Sequence, residues 1–175
     1  MTGKVVWHMT MSLDGFIAGP DDDLDWYSAD TGPSELADEV IRTTGAFMAG
    51  GRLLTEDYDF ETMQPYGGAW TGPIFILTHK DPATSPHPSM TFVSGDIRDA
   101  VATALAAADG KNLVVTGGTV PRLCTDAGLV DEIVLHILPI LLGEGIPFYA
   151  SPGAKRTGLE LLRSEGMNFH LRVVK

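Results

Sequence analysis

The chain has 175 residues, enough for one well-buried core and few for two, and its 44% hydrophobic and 20% charged residues describe an ordinary globular protein. A formal charge of −11 disfavours nucleic acid, whose affinity comes from Lys and Arg displacing counterions, so a phosphate ligand would need a local device. The single Cys124 excludes an internal disulfide and a thiolate metal cluster; no signal peptide or spanning stretch is evident, so a cytoplasmic location and no membrane partner are expected.

Val5 to Met11 reads as a short apolar strand closed by the turn residues of Ser12-Leu13-Asp14-Gly15-Phe16-Ile17-Ala18-Gly19-Pro20, ahead of the acidic run Asp21-Asp22-Asp23. Pro33 opens an amphipathic helix in which Leu36, Val40 and Ile41 share a face. Ala46 to Ala49 is a buried strand running into Gly50-Gly51-Arg52, Leu53 to Asp57 suits a helical turn, and Pro65 to Gly72 is loop. Strands are predicted over 73–78 and 90–94, bounded by Pro, Gly and Asp clusters. Asp96 caps a helix over 97–108, where Ile97, Val101, Ala104 and Leu105 recur at helical spacing before Gly110 stops it.

Asn112 to Thr116 and Glu132 to Leu138 are continuous apolar strands on either side of a short helix, Thr119 to Ala127, which implies parallel pairing with helices on both faces. Leu159 to Ser164 and Met167 to Val174 flank Glu165-Gly166 and form an antiparallel hairpin. The expected fold is one α/β domain over residues 1–175, three-layered αβα, with a mixed, mostly parallel central sheet ending in that hairpin.

Two corners have the chemistry of anion sites. In Val114-Val115-Thr116-Gly117-Gly118-Thr119 an apolar strand passes through two glycines into a helix, where close backbone approach and free N–H groups favour a phosphate; a plain strand-to-helix turn would use the same residues. Gly51-Arg52 offers a second such corner with a fixed positive charge. Neither a G-x-G-x-x-G nor a Walker pattern is present. Asp14 is either a proton donor to a ring nitrogen or half of a common Asp-Gly turn, and Asp25-Trp26-Tyr27 either faces a flat heterocycle or covers core. The five histidines show no metal-ligand spacing, and no metal is expected.

Taken in order, residues 11–18, 49–52, 74–78, 115–119 and 135–145 resemble the dihydrofolate reductase superfamily, and more closely the C-terminal reductase domain of the riboflavin-biosynthesis deaminase-reductase and its stand-alone relatives. The resemblance implies NADPH over the carboxyl ends of the central strands. Gly51 and Arg52 would lie near the adenosine-side phosphates, Thr78 (with His79) near the 2′-phosphate, and Gly117, Gly118 and Thr119 at the pyrophosphate. Thr10, Ile17 and Ala18 would border the nicotinamide. Asp14 and Trp26, with Asp25, would face a small heterocyclic substrate, and Asp14, Asp25, Glu35 or an ordered water would supply a proton.

The sequence departs from the family pattern at Thr116, where riboflavin-pathway reductases carry glutamate, and at Leu54, where a G-R-x-T pattern has threonine. Two functions follow: an NADPH-dependent reductase, or a non-catalytic nucleotide- or flavin-binding protein on the same fold. Family members often form homodimers, which makes the hairpin edge a candidate contact.

Overall fold

The computed structural model describes residues 3–28, 34–51, 64–79 and 87–175. Among these residues ten strands and three α-helices run in the order β1 (Val5–Ser12), β2 (Phe16–Ala18), α1 (Glu35–Thr43), β3 (Thr44–Gly50), β4 (Ile74–Leu77), β5 (Met90–Val93), α2 (Ile97–Ala107), β6 (Asn112–Val115), α3 (Thr119–Asp126), β7 (Glu132–Leu138), β8 (Ile146–Pro147), β9 (Gly158–Glu165) and β10 (Asn168–Val174). Eight of the strands form one sheet in the order β5-β4-β3-β6-β1-β7-β10-β9. The first six lie parallel, and β10 pairs antiparallel with both β7 and β9.

Side-chain alternation divides the core into two layers. Val5 and Trp7 of β1, Ala46 and Met48 of β3, and Leu113 and Val115 of β6 pack against Ala100, Val101 and Ala104 of α2 and against Val120 and Cys124 of α3. On the opposite face Val6, Phe47, Ala49, Val114 and Val134 meet Leu36 and Val40 of α1. Each of the larger aliphatic side chains among these, such as Leu36, Leu113 or Val120, contributes about 1.5–3 kcal/mol. Burial lifts the Cys124 thiol to about 12, which keeps it protonated and inert.

Local chemistry sets the helix starts. Ser34 Oγ accepts the Ala37 amide at 3.2 Å to begin α1, and Asp96 Oδ1 accepts the Arg98 amide at 2.7 Å to begin α2. The end of α2 lies so close to the start of β3 that a Cβ at Gly45 would meet the Ala108 carbonyl oxygen at 2.1 Å.

The sheet, its order of elements and its terminal hairpin are those expected from the sequence, with ends shifted by a residue or two. The stretch 16–18 differs. Read as turn, it is the strand β2, which pairs with β8 in a separate two-stranded ribbon. Three residues carry no periodicity, and the partner lies near position 146, so no local signal marks the pairing. The helical turn expected over 53–57 falls outside the described residues.

Candidate functional site

β3 and β6 are neighbours, with Met48 opposite Val115, so the corners that follow them lie side by side at the carboxyl edge of the sheet. A Cβ at Gly51 would touch Thr78 Oγ1 at 3.3 Å, which places the turn after β4 in the same corner. Gly117 has φ +84 with nothing within 4 Å of where a Cβ would stand, and Gly118 opens α3, whose first N–H groups have no acceptor within the helix. A Cβ at Gly118 would reach Ile17 Cδ1 and Ile146 Cγ2, both at 3.6 Å. The fold thus gathers Gly51, Thr78, Gly117, Gly118, Thr119 and Ile17 on one edge, where strand order reverses across β6 and open α/β sheets bind ligands. Positive-φ backbone, open space above it and a helix start suit the phosphates of a dinucleotide. Arg52 falls outside the described residues.

The loops over this edge are fastened to each other. Ser12 Oγ donates to Asp14 Oδ1 at 2.6 Å, and the Leu142 and Gly143 amides donate to the Asp14 carboxylate at 3.1 and 2.7 Å. Leu13 N–H reaches the Ile140 carbonyl and Phe148 N–H the Gly15 carbonyl, at 2.9 and 2.8 Å, on either side of the β2–β8 ribbon that buries Ile17 and Ala18. These contacts, that from Ser12 first, hold the exposed Asp14 carboxyl below the usual carboxylate range. An ionised acceptor serves poorly as a proton donor near neutral pH.

Glu35 is held elsewhere. It pairs with Arg163 of β9 at 2.6 Å, and Arg163 also contacts Glu39 and Glu165. Asp25 is exposed, with its amide on Asp23 Oδ1 at 2.9 Å, while Trp26 is buried with its indole N–H on the Asp23 carbonyl at 3.2 Å. Its neighbour Tyr27 lies edge-on to it at 5.4 Å, and the Tyr27 hydroxyl is hydrogen-bonded to Thr10, buried in β1.

Sequence reasoning passes over a row of polar side chains on the α1 face. Tyr66 Oη lies 3.0 Å from His8 Nδ1, His8 Nε2 lies 2.8 Å from His136 Nε2, and His136 Nδ1 lies 2.7 Å from Asn168 Oδ1. The pairing of β1 with β7 sets His136 opposite Thr10 and two residues diagonally from His8, and β10 sets Asn168 opposite His136. Desolvation, followed by the adjacent His136, pulls His8 down to about 3. Desolvation also holds the Tyr66 phenol above its ordinary value. A histidine inside each of two apolar strands is the signal that could have found this row, because a polar group facing a core needs a partner.

This strand order, with one helix against one face and two against the other, defines a dihydrofolate reductase-like fold. The chain belongs to the RibD C-terminal domain family, whose family model matches residues 3–169. It is similar to YwjB, an uncharacterized protein of Bacillus subtilis (strain 168), at 28% identity over 162 residues, 85% of this chain and 84% of that one. Among solved structures it is similar to a protein from Shewanella sp. PV-4 assigned to riboflavin biosynthesis, with TM-score 0.82 and 21% identity over 98% of this chain and 99% of that one. It is also similar to dihydrofolate reductase from Enterococcus faecalis complexed with NADP(H) and RAB-propyl, with TM-score 0.57 and 16% identity over 100% of this chain and 99% of that one.

Proposed function

We propose that the protein is an NADPH-dependent reductase acting on a small heterocyclic substrate of the ribosylaminopyrimidine or pterin kind. The observation that carries this reading is the convergence of the Gly51 and Gly117 corners on one edge of an otherwise anionic molecule. Gly51, Arg52 and Thr78 would hold the adenosine-side phosphates, and Gly117, Gly118 and Thr119 the pyrophosphate. Thr10, Ile17 and Ala18 would border the nicotinamide, which supplies the hydride when bound. Trp26 and Asp25 stand at the substrate side, and Asp14 orders the covering loops rather than giving up a proton.

The test is a fluorescence titration with NADPH, followed by NADPH oxidation across pterins, ribosylaminopyrimidines and quinones. Absence of NADPH binding would remove the reading, and unchanged affinity in Arg52→Ala would remove that side chain from the site. A binding-only protein is the second reading, favoured by the commitment of Asp14 and Glu35 to structural contacts. Turnover on any acceptor in the panel excludes it.

We also infer a homodimer. The register of β9 and β10 sets Leu161 beside Leu171 and Leu159 beside Val173 on one face, and Leu159 and Leu161 are 49% and 56% exposed. Leucines this open at the rim of a core are suited to burial against a second copy.

A further inference from the structure

The row Tyr66, His8, His136 and Asn168 has a strict proton arithmetic. Two imidazole Nε2 atoms at 2.8 Å need one proton between them. Asn168 Oδ1 only accepts, so His136 carries its proton on Nδ1; in a neutral pair His8 then carries Nε2–H, its Nδ1 accepts, and the Tyr66 O–H is spent inward. One added proton reverses this. His136 then gives its Nε2–H to His8 Nε2, His8 moves its own proton to Nδ1 and donates to Tyr66 Oη, and the Tyr66 O–H is freed from His8, with Thr44 as its other neighbour.

We propose that this row stores one proton on the histidine pair and delivers it through the Tyr66 hydroxyl to the bound substrate. The proposal rests on the reductase reading. As hydride from a reduced nicotinamide adds to the carbon of a C=N or C=O bond, the π pair moves onto the heteroatom, which takes the Tyr66 hydroxyl proton. Tyr66 Oη takes the His8 Nδ1 proton, and His8 Nε2 takes the His136 Nε2 proton. Tyr66 ends as a phenol and the pair ends neutral, to be recharged from water.

Three observations support this assignment. Asp14 and Glu35 are already engaged away from such a role. Tyr66 packs on Phe47 of β3, with ring centres 6.2 Å apart, and reaches His8 of β1 across the end of β6, beside Thr116, whose hydroxyl donates to the His8 carbonyl at 3.1 Å. Its phenol resists ionisation, which suits a group that passes a proton without holding a charge. Among the described residues, the charged groups on this face include Glu132 with Lys4 and His170, Arg172 with Glu160, and Glu35, Glu39 and Glu165 with Arg163, while Asp38 and Arg42 of α1 line the hollow around Arg163. Tyr27, held by Thr10, also faces Tyr66.

The decisive measurement is a pH series of long-range 15N–1H spectra on the 15N-labelled wild-type protein, with ring signals assigned through His8→Gln and His136→Gln, or through Asn168→Asp where those fail to fold. Expected is Nε2–H on His8 and Nδ1–H on His136 at high pH. Acidification should then move both rings at one shared midpoint, with His8 switching to Nδ1–H. Asn168→Asp, an anion beside His136, raises that midpoint by about one unit or more. Two independent titrations, or His8 carrying Nδ1–H throughout, would overturn the proposal.

With an acceptor that turns over, Tyr66→Phe should lower kcat at least tenfold while NADPH affinity stays within twofold. An unchanged kcat overturns the delivery step. Absence of wild-type turnover on the whole acceptor panel removes delivery together with the reductase reading, and the spectra alone then decide whether the pair stores a shared proton.

Discussion

The Asp14 carboxylate and the Gly143 amide are joined at 2.7 Å across 129 residues of chain, so the loop after β1 and the loop after β7 form one fastened unit over the carboxyl edge. Replacing Asp14 with Ala leaves the Leu142 and Gly143 amides without their acceptor. Hydrogen exchange at these two amides should accelerate about tenfold or more, with α2 unaffected. Acid should act the same way on the wild type. A carboxyl whose value is lowered by folding stabilises the native state above its unfolded value, and that contribution disappears as pH falls through the folded value.

Gly117 and Gly128 bracket α3 with similar backbone, φ +84 and +71, and neither has an atom within 4 Å of a built Cβ. Gly117→Ala and Gly128→Ala should therefore each cost about 1–2 kcal/mol of stability. Only the first crowds the expected pyrophosphate. Denaturation midpoints of the pair should match, while NADPH affinity falls at least tenfold in Gly117→Ala alone. Equal affinity in the two variants would separate this corner from the cofactor.

Glu132, buried at the opposite end of the sheet, accepts from Lys4 Nζ at 2.5 Å and is bonded to His170 Nε2 at 2.8 Å. Burial pushes its carboxyl upward, but the hydrogen bonds and charges of Lys4 and His170 prevail and leave it lowered. The stabilisation is present above the unfolded value of 4.5 and is lost as pH falls through the lower folded one. Glu132→Gln should cost about 1–2 kcal/mol at pH 7, at the low end for charge-assisted bonds because Lys4 is largely exposed. The gap to wild type, read from urea midpoints, should narrow as pH drops below the unfolded value of 4.5 and close below the lower folded one.

If the face bearing Leu159 and Leu161 is covered by a second copy, a charge placed there has to be desolvated in the assembly and not in the monomer. Leu161→Glu should shift the mass measured by light scattering from dimer to monomer with little change in monomer fold. A wild-type monomer at high concentration removes the dimer.

The fold was legible wherever a layer has its own period. The Asp96 cap and the i, i+4 apolar spacing from Ile97 to Val101 to Leu105 mark α2, and the alternation of Phe169, Leu171 and Val173 marks β10. The glycines after β3 and β6 mark where two apolar strands turn, which the sequence shows, and the pairing of those strands sets the two corners side by side. The β2–β8 ribbon and the histidine row were not legible, because each joins residues far apart in sequence, and only the register of β1 on β7 brings His8 to His136. Asp14 shows the opposite limit. The residue stands out, yet its role depends on amides that its neighbours in sequence do not reveal.

The position of β1 between β6 and β7 has a consequence for biosynthesis. Both flanking strands come from the second half of the chain, so the first strand made is among the last to find its neighbours. At about 5–20 residues per second, Val5 to Met11 leaves the ribosome on the order of ten seconds before Glu132 to Leu138 does. Until β6 follows, its apolar stretch has no neighbouring strand to join. Nascent chains arrested before β6 should accordingly depend on chaperones and aggregate without them, whereas chains carried past β10 have every strand of the sheet to pair with.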